Sequence, residues 1–483
     1  MKNDSFQKLL DICIALSGER DRENLLSRIL DAAMDIANSD GGTLYLLEDD
    51  GLHFCRMVTK SMGVRQGGHD GEITLPPVPI KPSHVCSRAV IENQIIVVPN
   101  VHEDERFDFS GAKKYDAMTG YHTRSMLVVP LCNDKGTLIG VLQLINAMTE
   151  NGEPADFDPE CVDMIAALAS QAASSITTMM YSENIQQLLD SLVGTLSTAI
   201  DQRTPYNANH TRNMARYGAR FLDWLEASGN EWKFDATQRR AFLLSVWLHD
   251  VGKLVVPLSV MDKQDRLGPE LREVEHRFEV SALSEKIAFL EGKISEQEYK
   301  EKIGRLEGDL EFIKSINTAG FLPDEKLERV QKLANESCLN GKGETAPLLT
   351  PEEIVSLSVR KGTLTDEERS IMESHVVMTA KILSQVTFPK EFSAVPAWAS
   401  AHHELLNGKG YPNHITAEDI PPEVRLLTIL DIFDALTARD RPYKPGMPAE
   451  KAFGILHNMQ EEGNIDGDIL ALFEESKAWE EES

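Results

Sequence analysis

Hydrophobic residues follow two different periods along this chain, and the change near residue 158 limits the possible folds more than any other feature. Before it, short β-rich runs at 95–98, 125–131 and 138–144 are bounded by Gly, Asp and Asn, which is typical of strands. A turn-forming cluster at 133–136 predicts a hairpin between the last two runs. After residue 158, apolar residues recur at helical spacing.

The sequence therefore predicts a multidomain protein. We expect an α+β domain with an antiparallel sheet and flanking helices over 1–175, a long connecting helix over 176–203, and an all-α domain over 204–483. Within the last domain, the charged segment 265–362 predicts a helical insertion that contains a helical hairpin turning at Gly292. We interpret this insertion as structural or partner-binding rather than catalytic.

Charge and composition exclude several classes of partner. The chain carries 49 Lys and Arg against 77 Asp and Glu, which gives a formal net charge of −28. A field of this sign repels nucleic acid polymers and anionic membranes. No stretch approaches the roughly 18 consecutive apolar residues that a membrane span requires, and the six cysteines include no CxxC pair. These features predict a cytoplasmic protein without a membrane span or a nucleic acid partner.

The connecting helix carries an apolar seam, which consists of Ile185, Leu189, Leu192, Leu196 and Ala199. The spacing alternates between four and three residues, as in a coiled coil. One interpretation is a parallel homodimer. The other, a helix that packs on its own domain, stays open at this point.

Histidine and aspartate recur in the helical half of the chain, at His210, His249–Asp250, His375, His402–His403 and Asp431. A single histidine on an apolar face is usually a core residue, but five such places with two adjacent pairs are typical of a metal site. Imidazole and carboxylate together suit iron, manganese, zinc or nickel. Two metals bridged by a carboxylate such as Asp250 can activate water for in-line attack on phosphorus. The residues alone predict a helical multi-metal phosphohydrolase.

The order of these blocks resembles the HD-GYP signature. His249-Asp250-Val-Gly-Lys253 is followed by His402-His403-Glu404 and then by Gly410-Tyr411-Pro412. The resemblance covers 204–265 and 362–457, on either side of the insertion. It implies a metal-dependent phosphoric diester hydrolase that converts cyclic di-GMP, a bacterial second messenger, to pGpG or onward to GMP.

The resemblance also implies roles for individual residues. The metal ligands would be His210, His249, Asp250, His375, His402, His403 and Asp431, with Asp250 as the bridge. Asp250 and Lys253 would be the catalytic residues. Asp250 would act as the bridging ligand, and Lys253 would reach the scissile phosphate and offset its negative charge. Substrate binding would involve Lys253, Tyr411, Arg441 and Lys444, although a solvated charged loop is the alternative for Arg441 and Lys444.

The number of metals follows from one departure from the family pattern. Members with three metals carry a glutamate four residues before the first histidine, where this chain has Tyr206. We therefore expect two divalent ions, with iron as the first candidate and manganese as the second.

The N-terminal residues resemble a GAF domain, on the runs 95–107, 121–131 and 140–146. The resemblance implies a sensor domain that binds a small ligand. Because Ala147 replaces a lysine of the cyclic-nucleotide-binding GAF pattern, a cyclic nucleotide is not the expected ligand, and its identity is unknown. The cysteines and histidines of this domain have no defined spacing. We interpret them as core cysteines and surface histidines rather than as a haem or redox site, and they are Cys55, Cys86, Cys132, His84, His102 and His122.

Three functions follow for the whole chain. The first is a dimeric cyclic di-GMP phosphodiesterase that is regulated by its GAF domain. The second is a catalytically weak HD-GYP domain that acts as a cyclic dinucleotide-responsive binding or signalling module. The third keeps hydrolysis but assigns another cyclic dinucleotide as the substrate.

Overall fold

The computed structural model describes most of the chain, namely residues 2–203, 209–339, 343–438 and 446–480, without the side chains of residues 2–6 and 8. The chain divides into two compact units, Met1–Leu189 and Asp190–Ser483. Within the described ranges, no helix is both long and apolar enough to cross a membrane.

Seven strands form the antiparallel sheet of the first unit: β1 Ser39–Glu48, β2 Gly51–Thr59, β3 Val64–Gln66, β4 Ile96–Val98, β5 Met126–Cys132, β6 Leu138–Met148 and β7 Pro154–Ala155. Their order is β3-β2-β1-β6-β5-β4, and β7 pairs with β6. The predicted hairpin at 133–136 joins β5 to β6, where the Gly136 amide donates to the carbonyl of Asn133 at 3.0 Å. The sequence does not predict the strand β2, because His53 and Arg56 interrupt its apolar pattern.

Helices cover both faces of this sheet, and they are α1 Lys2–Gly18, α2 Arg22–Ile36, α3 Val85–Glu92, α4 Ser110–Thr119 and the first part of α5 Pro159–Asp201. On one face, Ile29 of α2 and Ile165 of α5 are buried with Leu127 of β5. On the other face, Ala89 of α3 and Phe109 are buried in a separate cluster with strand residues. These two cores confirm the predicted α+β fold.

The helix α5 is continuous over Pro159–Asp201, which confirms the long helix. The predicted seam lies on its surface, since Ile185, Leu189, Leu192 and Leu196 are 57%, 52%, 57% and 39% exposed. Ala199 is exposed as well. Among the residues that the structure describes, none buries the seam, so it is available to a partner.

The second unit is mainly helical, and its helices are α6 His210–Ser228, α7 Ala236–Leu248, α8 Leu258–Met261, α9 Leu271–Leu290, α10 Glu296–Asn317, α11 Asp324–Leu333, α12 Pro351–Leu357, α13 Asp366–Leu383, α14 Val395–Ala399, α15 Pro422–Thr437, α16 Ala449–Glu461 and α17 Gly467–Ser476. Its main core buries aromatic and aliphatic side chains of α6, α7, α15, α16 and α17. The predicted all-α domain is thus confirmed outside the insertion.

The insertion 265–362 has a hydrophobic core of its own, which includes Phe278 of α9, Ile316 of α10 and Val330 of α11. The predicted helical hairpin is formed by α9 and α10, with Gly292 at a φ of +71° between them. The insertion is not wholly helical, because β8 Ser337–Leu339 and β9 Thr345–Pro347 form a two-stranded antiparallel sheet. Strands of three residues are too short to show a period in the sequence.

Arg266 closes the base of the insertion. Its side chain is fully buried, and its guanidinium donates to the carbonyls of Val359 at 3.1 Å and Ile316 at 2.5 Å, and to that of Ala319. Because Val359 lies near the end of the insertion, one side chain joins the beginning of the segment to its end.

Replacing Arg266 with Met should therefore lower the stability of the second unit by about 2 kcal/mol or more, since buried carbonyls would lose their donors. The denaturant midpoint of this unit and the rate of proteolysis within 265–362 measure the effect. Arg272→Met is the matched control, because Arg272 is exposed on α9. Equal midpoints for the two variants would contradict the assigned role of Arg266.

Candidate metal centre

Seven side chains from separate elements meet in the second unit. His210 is the first residue of α6, His249 caps α7, and Asp250 precedes a short 3-10 turn. The other four come from α13, from the turn after α14 and from α15, and they are His375, His402, His403 and Asp431. All are buried except His403, whose side chain is 27% exposed. The structure thus brings all seven predicted ligands together.

Asp250 stands between two groups of histidines. Its Oδ2 lies 3.2 Å from His249 Nε2 and 3.9 Å from His210 Nε2. Its Oδ1 lies 3.5 Å from His375 Nε2 and 3.9 Å from His402 Nε2. Each oxygen of the carboxylate therefore faces a different pair of imidazoles, which is the arrangement expected of a bridging ligand.

Asp431 completes the arrangement on the other side. Its Oδ1 lies 3.2 Å from His210 Nε2, and its Oδ2 lies 3.6 Å from His403 Nδ1. The ligand atoms of two triads converge within 4.8 Å, and these triads are His210, His249 and Asp431, and His375, His402 and His403. Both triads have donor atoms suited to a divalent transition metal.

Backbone carbonyls fix the orientation of three imidazoles. The Nδ1 atoms of His249, His375 and His402 each donate to a carbonyl three residues earlier, at 2.7, 2.7 and 2.8 Å. Each Nε2 therefore carries a lone pair and points into the centre. These three Nε2 atoms and Asp250 Oδ1 are buried without a hydrogen-bond partner. Since buried polar atoms are nearly always paired, four unpaired atoms that converge fit bound metal ions.

Burial favours the neutral form of three imidazoles, which is the form that binds a metal. Burial lowers the pKa of His375, lowers that of His403 to about 4, and holds the pKa of His402 well below its usual value. Burial raises the pKa of Asp250, but nearby positive charge, including the Lys253 ammonium, outweighs it and holds that pKa well below its usual value. The carboxylate that lies between the two triads is thus ionised.

His210 differs from the other imidazoles because a carboxylate faces each of its nitrogens. Burial lowers its pKa, but hydrogen bonds to Asp431 and Asp434 outweigh this effect and raise the pKa to about 10. Nδ1 donates to Asp434 Oδ2 at 2.7 Å. Asp434 is fully buried and is not among the predicted site residues, although it lies one helical turn after Asp431. The i, i+3 spacing of Asp431 and Asp434 on one helix is the sequence signal that could have indicated Asp434.

Tertiary contacts hold the turn after Asp250 against α13. A Cβ on Gly252 would lie 1.8 Å from the carbonyl oxygen of His375, so only glycine permits this approach. The Thr379 hydroxyl accepts from the Gly252 amide and donates to the His249 carbonyl, both at 2.9 Å. Gly252 and Thr379, which are 127 positions apart in the chain, thereby fix the distance between His249 and His375 and so between the two triads.

A buried carboxylate shapes the loop after His403. Glu404 accepts from the amides of Asn413 at 2.7 Å and Ile415 at 3.2 Å, and it is 2% exposed. A Cβ on Gly410 would lie 2.2 Å from the Leu405 amide nitrogen. The folded loop places the Tyr411 ring 4.8 Å from the His403 ring, at the edge of the centre.

The three cationic side chains that are predicted to bind the substrate differ in whether the structure describes them. Lys253 lies at the centre, where its Nζ donates to Asp250 Oδ2. Arg441 and Lys444 lie outside the described residues, as does Tyr206.

Comparison with known families agrees with the two units. A family model for the GAF domain matches residues 21–176, and a family model for the HD domain matches residues 324–469. The chain therefore contains a GAF domain and an HD domain. The HD match includes the predicted ligands His375, His402, His403 and Asp431. The other three predicted ligands precede it in the sequence.

The curated relatives share only part of their length with this chain. It is 37% identical over 97 residues to the 3'3'-cGAMP-specific phosphodiesterase 3 of Vibrio cholerae, which covers 20% of each protein. It is 31% identical over 172 residues to a cyclic di-GMP phosphodiesterase response regulator of Xanthomonas campestris, with 34% of this chain and 44% of that protein covered. A cyclic di-GMP phosphodiesterase of Thermotoga maritima is 37% identical over 101 residues, or 21% of this chain and 27% of that protein. This chain thus spans less than half the length of these relatives.

Replacing Asp434 with Asn should weaken metal binding about 10- to 100-fold, because His210 would lose the charged partner that orients it. Metal retained per chain during dialysis against increasing chelator measures this change. Asp419→Asn, at an exposed aspartate of the same unit, is the control. If both variants retained metal equally, Asp434 would have no positioning role.

Proposed function

We propose that this chain is a metal-dependent phosphodiesterase that hydrolyses cyclic di-GMP to pGpG, GMP or both, under the control of its GAF domain. The observation that carries the proposal is the pair of buried triads on either side of Asp250, with four unpaired atoms directed between them. The names of the relatives support the same class of substrate.

Each triad would hold one divalent ion, and Asp250 would bind both. Iron is the first candidate and manganese the second, since imidazole and carboxylate ligands suit both. A pair of such ions supplies an activated water and neutralises charge on the phosphate during in-line attack. The chain supplies the fixed geometry, because the Nδ1 bonds of His249, His375 and His402 leave each ring only one orientation towards the centre.

Lys253 would act on the substrate rather than on the metals. In the structure its ammonium pairs with Asp250, and its side chain remains 18% exposed. A phosphate that entered the centre would compete for this ammonium, which would then stabilise the charge that develops in the transition state. Tyr411 would contact the substrate from the edge, and Arg441 and Lys444 would hold its phosphates.

The net charge of −28 makes local positive charge necessary, because the substrate is itself an anion and the field of the protein repels it. Two metal ions and Lys253 would concentrate positive charge at the one place where it is needed.

Two other functions differ from this proposal in testable ways. The relative named as 3'3'-cGAMP-specific favours a second candidate, a phosphodiesterase for another cyclic dinucleotide. A catalytically weak binding module is the third candidate. Seven converging candidate ligands together with Lys253 argue against it, because nucleotide binding alone does not require these groups.

Lys253→Met tests the proposed reaction. In protein purified without air, we expect the same metal content in the wild type and the variant, with about two ions in the candidate centre. We expect the turnover of cyclic di-GMP to be about 100- to 1000-fold lower in the variant. Lys451→Met, at an exposed lysine of α16, is the control and should retain turnover.

The same assay separates the candidate functions. Faster turnover of 3'3'-cGAMP than of cyclic di-GMP by the wild type would favour the second candidate. Bound metal without turnover of either nucleotide would favour the binding module. Full activity in Lys253→Met would refute the role of this lysine.

A homodimer is proposed from the exposed seam of α5. Four large apolar side chains at coiled-coil spacing lie on one helix face, and each is at least 39% exposed. A second copy of the same helix, aligned in parallel, would cover them with the matching seam.

Leu189→Glu should weaken this dimer by introducing a charge into the seam. Light scattering coupled to size-exclusion chromatography would show a larger monomer fraction at the same concentration. Gln187→Glu adds the same charge at an exposed position outside the seam and should leave the dimer intact. A monomeric wild-type protein would rule the dimer out.

A further inference from the structure

The GAF domain brings together a second group of potential metal ligands, far in sequence from the HD centre. His102 follows β4, Asp116 lies in α4, and His122 precedes β5. One ligand atom from each lies within 4.8 Å of the others. The two imidazole rings are stacked, with centroids 5.1 Å apart and an interplanar angle of 15°.

We propose that these three residues form a binding site for a divalent first-row transition metal in the GAF domain. Two imidazoles and one carboxylate are ligands that Zn²⁺, Fe²⁺, Co²⁺ and Ni²⁺ accept. The site is open to solvent, because both histidines are exposed and Asp116 is half-buried. An ion can therefore enter without unfolding, and water can complete its coordination.

The carboxylate of this site is already oriented. Asp116 Oδ2 accepts from the Thr123 amide at 2.9 Å, and its Oδ1 accepts from the Thr123 hydroxyl at 2.8 Å. Thr123 is 2% exposed. A carboxylate oxygen has a second lone pair, so these bonds hold Asp116 in place and still leave it able to bind an ion.

The histidines are held through the backbone. Asn146, which is buried, donates to the His122 carbonyl at 2.8 Å and accepts from the Arg124 amide at 2.7 Å. The Val101 amide donates to the Arg124 carbonyl at 2.8 Å. The segments that carry His102 and His122 are thus joined to each other, and each imidazole needs only side-chain rotation to reach a shared ion.

A comparison with another cluster in the same domain shows why the proposed site is the better candidate for a transition metal. Glu48, Asp50 and His53 also lie within 4.8 Å of one another. That cluster has one imidazole, and this imidazole is already paired with Asp50 at 2.5 Å. It is a typical acidic surface group, whereas the site of His102, Asp116 and His122 has two imidazoles and joins three separate elements.

Binding at this site would have a structural consequence inside the GAF domain. The ion would connect α4 to the loop after β4 and to the segment before β5, in addition to the hydrogen bonds between Asp116 and Thr123. We therefore expect bound Zn²⁺ to slow local opening of α4.

The test compares Zn²⁺ binding by the full chain in three forms: wild type, the double variant His102→Ala/His122→Ala, and the control His53→Ala. Equilibrium dialysis should find one fewer bound Zn²⁺ in the double variant than in the wild type and the control. Metals in the HD centre contribute equally to all three forms, so the difference reports the GAF site alone.

Hydrogen exchange measured on peptides from 110–123 provides a local readout. Zn²⁺ should slow exchange there several-fold in the wild type and in His53→Ala, and should not do so in the double variant. Equal unfolding midpoints without metal would establish that the exposed substitutions leave the fold intact. Equal Zn²⁺ stoichiometry in all three forms, or exchange that does not respond to Zn²⁺ in the wild type, would overturn the proposal.

Discussion

A buried carboxylate is unfavourable unless opposite charge or donors surround it, and this requirement at Asp250 organises the second unit. Two oxygens face four imidazoles and one ammonium. Three helices (α6, α7 and α13), the turn after α14 and the 3-10 turn after Asp250 must end or pass at defined places to supply these groups. A core rich in aromatic side chains packs α6 and α7 against α15, α16 and α17, so packing far from the centre helps to set the geometry at Asp250.

The sequence predicts the fold well where periodicity is long or turns are distinctive. The α5 helix, the α9–α10 hairpin and the β5–β6 hairpin all follow from local pattern. The strand β2 and the β8–β9 pair do not, because charged residues or short length hide their period. For the candidate centre, adjacent pairs such as His249–Asp250 and His402–His403 are a local signal, and the structure brings the candidate ligands that they indicate together.

Other parts of the site depend on contacts that no local pattern contains. Thr379 reaches a turn 127 positions away, and nothing near it in the sequence indicates this partner. His102, Asp116 and His122 show no ligand spacing, so the sequence favours surface histidines at the first and last of these positions. Only the folded sheet, with Asn146 joining its neighbouring segments, brings these three side chains together.

The insertion between Asp250 and His375 also determines the order in which the centre is made. At roughly 5–20 residues per second, the ribosome adds Asp431 about 10 to 40 seconds after His249. During that interval His249 and Asp250 exist without their partners, while the insertion, with its own core and with Arg266 joining its ends, can fold first. The nascent chain therefore holds only part of the candidate centre until α15 emerges, so the seven side chains can meet only after the insertion has been made.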